Sequence, residues 1–186
     1  MNNWYILVTL FLSSSYCFAA VPTWKMLPAQ SHIQFTGIQN DSPVSGEFKK
    51  FTADIRFDPN QLGESHVKVM IDMNSIYASY AEIVSTLKTT AWFDAINFPT
   101  AVFESTEFSK ISNNTYSVKG NLTIRDKTAP VTLTFNGSAS TGNIAQVMGS
   151  TEVKRSVYGV GSGEWADTSL VKDNVKINFV IAAARQ

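Results

Sequence analysis

The chain has 186 residues and a formal net charge of zero, from 15 basic and 15 acidic side chains. That length suits one domain with a substantial core and leaves little for a second. The charge balance removes the basic surface that nucleic acid or an anionic membrane would require, so neither is expected as a partner.

Residues 1–19 carry no charged side chain, and the first in the chain is Lys25. An apolar run over 4–12, three serines, and small residues at Cys17 and Ala19 predict a signal peptide cut near Ala19. A lipoprotein signal at Cys17 is one alternative, although bulky Tyr16 precedes the cysteine; an N-terminal strand is another. The expected location is the periplasm or the exterior, with residues 20–186 as a single domain. Cys17 is the only cysteine, so cleavage leaves no disulfide and no thiol chemistry.

Residues 24–27 begin a strand, which Ile33 and Phe35 continue beyond Pro28. Asn40-Asp41-Ser42-Pro43 reads as a turn. Residues 44–57 form a strand pair or one bent strand, and 66–73 alternate as another. A helical insertion is expected around 79–97. Ser79 and Glu82 fit a capping box there, and Tyr80, Ile83, Val84, Leu87 and Ala91 share one helical face.

Residues 98–135 read as three strands. In the middle one, Tyr116, Val118, Gly120, Leu122 and Ile124 alternate with polar residues, the period of an antiparallel strand with one buried face. The first differs: Val102 and Phe108 fall on one parity and Ala101 and Phe103 on the other, so both its faces are expected to be partly buried. Arg125-Asp126-Lys127 is a polar break. Residues 145–155 form a further strand, glycines 159, 161 and 163 a bend or rim loop, and 175–181 the last strand. About eight evenly spaced strands suggest an all-β closed barrel.

His32 and His66 sit alone, without the three convergent ligands a metal needs. No nucleophile elbow, phosphate loop or dinucleotide fingerprint is present, so neither catalysis nor a cofactor is expected. Arg155 shares the parity of the apolar side of its strand; turned inward, its fork would suit the oxyanion head of an amphiphile, and turned outward it would meet water or an acid. Phe35, Phe48, Phe51, Phe57, Trp92, Phe93, Phe103 and Trp165 could sheath a tunnel or fill a core, and patterning does not separate the two.

FPTAVFEST (98–106) followed by YSVKGNLTIRDKTAPVTLTF (116–135) resembles the centre of the YceI-like family of lipid and polyisoprenoid-binding proteins. VSGEFKKFTADIRFDP (44–59), IDMNSI (71–76), AWFDAINFP (91–99) and KRSVYGVGSGEW (154–165) agree, so the resemblance spans about 24–184 and looks most like the secreted branch. Where the family often has an Asp and then a His-Ser pair, this chain has Leu27, Gln30 and Ser31, which puts any role of that His in doubt here. The resemblance implies an eight-stranded antiparallel lipocalin-like barrel carrying a polyisoprenoid, isoprenoid quinone, fatty acid or fatty amide. The apolar lining would then add Ile71, Ile76, Leu87 and Leu122 to the aromatic set, with Arg155 and Tyr158 orienting the head group. The other reading is an accessory protein that docks on, or delivers quinone to, a membrane di-haem cytochrome b. A homodimer stays open.

Overall fold

The computed structural model describes residues 20–137 and 142–186; the expected signal peptide lies outside them. Eleven strand segments form a single antiparallel sheet. They are β1 (Thr23–Met26), β2 (His32–Gln39), β3 (Ser42–Phe48), β4 (Phe51–Arg56), β5 (His66–Asp72), β6 (Ile76–Ala78), β7 (Thr100–Lys110), β8 (Thr115–Ile124), β9 (Lys127–Gly137), β10 (Ile144–Lys154) and β11 (Asn174–Arg185). The first six are three strands, each broken once: β1 runs into β2, β3 into β4 and β5 into β6. Eight strands therefore make the barrel. It closes where β1 pairs with both β4 and β11.

Each break has a local cause. Pro28 cannot donate to a ladder. Instead the Ser31 hydroxyl donates to Leu27 O and accepts from Ala182 N, which keeps the bent chain hydrogen-bonded. At the second break Lys49 N and Lys50 N leave the ladder for Ser75 O and Ser75 Oγ. Ser75 belongs to the third break, where the Asp72 carboxylate caps Asn74 N. The kinks thus tie neighbouring strands together. Past them β2, β3 and β6 flare away, and β6 ends the sheet without meeting β7.

The chain between β6 and β7 carries α1 (Ala81–Lys88), with Leu87 buried and Ile83 and Val84 packed against the core. The expected capping box does not form. Pairing of Ala78 with Gly46 holds the chain extended, so the helix starts at Ala81 with Tyr80 as an N-cap that makes no side-chain bond. Tyr80 also leaves the apolar face and is 67% exposed. The helix covers only part of the insertion; residues 89–98 continue as hydrogen-bonded turns.

Two hairpins are as tight as their sequences suggest. Asn40 and Asp41 both take left-handed φ (47° and 58°) between β2 and β3, the twist a two-residue connection needs. Arg125 takes φ 58° between β8 and β9, an uncommon conformation for a residue with a long side chain. Both faces of β7 are partly buried at its start, where Ala101 and Phe103 are buried and Val102 and Glu104 half-buried, and a bulge explains why Phe108 falls on the other parity. The register shifts between Ser105 and Glu107, so Ala101, Phe103 and Ser105 face inward before this bulge and Phe108 after it. One extra residue flips the parity without moving either apolar group to water.

The end of the barrel away from α1 is filled. Phe57, Phe108, Tyr116 and Phe135 pack with ring centroids 5.4–6.4 Å apart. Higher up, aromatic rings lie over glycines on adjacent strands. A Cβ on Gly120 would sit 2.5 Å from the Phe103 ring and from Glu104 O. Gly120→Ala should therefore destabilise the barrel by about 1–3 kcal/mol through overpacking, read as a lower urea midpoint with an unchanged slope.

Candidate functional site

Above the aromatic plug the barrel is hollow. A cavity of about 290 Å³ lies between the flared strands, α1 and the chain that joins β10 to β11. This volume is near the lower edge of small-molecule sites, roughly 300–1,000 Å³. Its wall is mostly apolar. β2 gives Ile33 and Phe35, β3 gives Val44 and Phe48, and α1 gives Ile83 and Leu87. Trp92, Phe93, Leu122, Val153, Val175 and Ile177 complete the sides. Gln39, Glu82, Thr86 and Lys172 are the polar side chains at the mouth. A smaller cavity of about 140 Å³ adjoins it, shares Gln39, Trp165 and Val171, and is bordered by Glu164 and Asp167.

The segment 159–172 has no strand period, yet it forms one wall. Arg155 holds it there. The side chain is 4% exposed, and all five of its N–H donors meet backbone carbonyls. Nε donates to Lys172 O at 3.3 Å. Nη1 donates to Val160 O at 3.0 Å and Gly161 O at 2.8 Å. Nη2 donates to Trp165 O and Val171 O, both at 2.8 Å. Burial pushes the Arg155 pKa down, and nearby Asp173 opposes that shift. The guanidinium lies 5.8 Å from the Trp92 ring centroid, and Trp92 packs on Trp165 at 5.6 Å.

Asp173 completes this knot. Burial raises its carboxyl, but the Ser156 N–H and hydroxyl, Arg155 and Lys154 outweigh that and hold it below the usual carboxylate range. The Ala91 carbonyl, just past α1, accepts from both Gly161 N and Ser162 N. Gly161 has φ 75° and lies against the Arg155 fork, so the close approach and the backbone both favour glycine. A second arginine, Arg125, donates through Nη1 to Trp92 O and Gly159 O. That joins the β8–β9 hairpin to both loops and offsets its own strained φ.

Of the fourteen residues expected to hold ligand, Phe35, Phe48, Ile71, Leu87, Trp92, Phe93, Leu122, Trp165, Arg155 and Tyr158 line the cavity. Phe51, Phe57, Ile76 and Phe103 do not. Phe57 belongs to the aromatic plug. Phe103 and Ile76 are buried in the core, and Phe51 is half-buried on β4. Strand parity tells inward from outward but not height along the barrel axis, and height separates plug from cavity. Val160 and Val171 were invisible because their loop has no period, and Arg125 because it reads as a solvated turn. Among the described residues no group of three His, Cys, Asp or Glu side chains could hold a metal ion.

The YceI-like domain matches residues 24–183. The chain belongs to the YceI-like family. A UPF0312 protein of Vibrio cholerae is 29% identical over 143 residues, 73% of this chain and 76% of that protein. The crystal structure of BcnA from Burkholderia cenocepacia is similar at a TM-score of 0.81 and 34% identity, covering 84% of this chain and 98% of that one. A polyisoprenoid binding domain from Saccharophagus degradans shares the fold at a TM-score of 0.69 and 13% identity, covering 90% and 100%. Within this YceI-like barrel, Arg155 ties the loop wall to the sheet.

Arg155→Met should cost about 3 kcal/mol or more, since several buried carbonyls lose their donor at roughly 1–3 kcal/mol each. Arg155→Lys should recover only part, because an ammonium cannot reproduce the planar fork. Urea denaturation measures both, and amide exchange at 160–172 should quicken in both variants before global unfolding.

Proposed function

We propose that the protein holds a long apolar molecule inside the barrel, as a carrier or sequestering protein, without covalent chemistry. The observation that carries this reading is the apolar cavity, open at one end of an otherwise plugged YceI-like barrel. Burying a hydrocarbon chain gains about 0.8 kcal/mol per CH₂. A preformed apolar cavity collects that gain without the cost of opening the core. The ligand classes to consider are polyisoprenoids, isoprenoid quinones and fatty acids or amides. The Saccharophagus domain with the same fold is described as polyisoprenoid binding, which supports this choice.

The protein would work in the periplasm or outside the cell, a reading that rests on residues 1–19 resembling a signal peptide. Docking on a membrane cytochrome is less favoured. An exposed apolar patch around Trp92 and Phe93 with a filled barrel would favour it, but Trp92 is buried, Phe93 is partly buried and both line the cavity.

Native mass spectrometry, with organic extraction of the purified protein, tests the carrier reading. A stoichiometric lipid, or uptake of a long-chain probe, is the expected result. Val44→Trp, which enlarges a side chain on the cavity wall, should reduce uptake at least tenfold and leave the fold intact by circular dichroism. If neither lipid nor probe binds the unaltered protein, the carrier reading is wrong.

A further inference from the structure

The cavity wall is unusual in how its polar groups are used. Arg155 has no N–H left for a ligand, since each donor already meets a carbonyl. Lys172, the other cation on the wall, faces Asp41 at 3.6 Å and donates to Ser169 O at 3.3 Å. Glu82 sits at the same mouth, and Glu164 and Asp167 border the adjoining cavity. At that mouth an anionic head group would meet the Glu82 carboxylate, with Glu164 and Asp167 beyond it in the adjoining cavity, and the one cation beside Glu82, Lys172, already faces Asp41.

Tyr158 is different. It is 2% exposed and lines the cavity. Among the described residues its hydroxyl has no hydrogen-bond partner. Burial pushes its pKa up, with no charged or hydrogen-bonding group acting on it, so the phenol stays protonated and can donate or accept. Among the described residues only Trp92 Nε1 and Arg125 Nε are fully enclosed without a partner; the Tyr158 hydroxyl therefore opens on the cavity, where a ligand atom can pair with it. The Trp92 indole N–H on the same wall is a neutral, buried donor without a partner.

We propose that the cavity selects amphiphiles with a neutral, oxygen-bearing head group, a hydroxyl or carbonyl that pairs with the Tyr158 hydroxyl, over amphiphiles with an anionic head. This rests on the carrier reading and narrows it: fatty carboxylates and phosphates become the poor ligands. Arg155 acts as a positioning residue for the wall, and Tyr158 is the head-group contact.

The test is displacement of the apolar fluorophore N-phenyl-1-naphthylamine by 1-dodecanol and by dodecanoate, on the purified protein and on Tyr158→Phe. The unaltered protein should prefer dodecanol. Tyr158→Phe should weaken dodecanol about two- to twelvefold, the range for one hydrogen bond, and leave fluorophore and dodecanoate affinities unchanged. Its melting temperature should stay the same or rise, because the hydroxyl it removes bonds to nothing in the protein. Tighter binding of dodecanoate than dodecanol, an unchanged dodecanol affinity in Tyr158→Phe, or a clear drop in its melting temperature would each overturn the proposal while the carrier reading stands. Failure of the fluorophore and both amphiphiles to bind the unaltered protein would remove the proposal and the carrier reading together.

Discussion

One buried guanidinium organises the open half of this barrel. The loop between β10 and β11 pairs with the sheet only through one isolated bridge, Val171 to Gln39, so most of its carbonyls need another donor. Arg155 supplies five N–H groups in one rigid plane, and each finds a carbonyl. A charge this deeply buried is costly unless its hydrogen-bonding capacity is filled. The same pairing that makes the arginine tolerable also fixes the path of the loop. The fork holds the carbonyls of Val160, Trp165 and Val171, and so helps to set these residues in the wall. Trp92 covers one face of the guanidinium and Trp165 packs on Trp92, which links the loop wall to the turn after α1.

The barrel is filled at one end and hollow at the other for reasons that can be traced to strand geometry. At the closed end β1, β4, β5 and β7 to β11 complete a ring, and eight strands leave an interior that four aromatic rings can fill. At the other end the first three strands bend, through Pro28, the Lys49-Lys50 pair and the Asp72-capped turn. The sheet then fails to close between β6 and β7, and α1 with its following turns occupies the gap. A short amphipathic helix does not fill a barrel as interdigitated strands do, so the space beneath it stays open. Cavity and bent strands are thus two views of one constraint.

Much of this was legible in the residues. The alternation of Tyr116, Val118, Gly120 and Leu122 identified a strand with one buried face, and those positions are buried. The strand breaks near Pro28 and within 44–57 were visible as turn residues or as over-long runs. The bulge in β7 was visible only as a contradiction, with Ala101 and Phe103 on one parity and Phe108 on the other. The capping box failed because Ser79 follows directly on a paired strand. A local signal at the helix start lost to a ladder formed with a distant segment.

The amino-acid sequence by itself determined the all-β class, the approximate strand positions, the helical insertion and the resemblance that the family match bears out. These depend on period and on local turn chemistry, which a single chain carries in its order of residues. Only the tertiary structure decided which inward residues line space and which fill it. Phe48 and Phe57 have the same chemistry, but one borders the cavity and the other plugs the barrel. It also decided what Arg155 does. An inward arginine on an apolar face can grip a ligand or hold its own backbone. The outcome depends on whether carbonyls from five other positions converge on it, and no spacing in the sequence records that convergence.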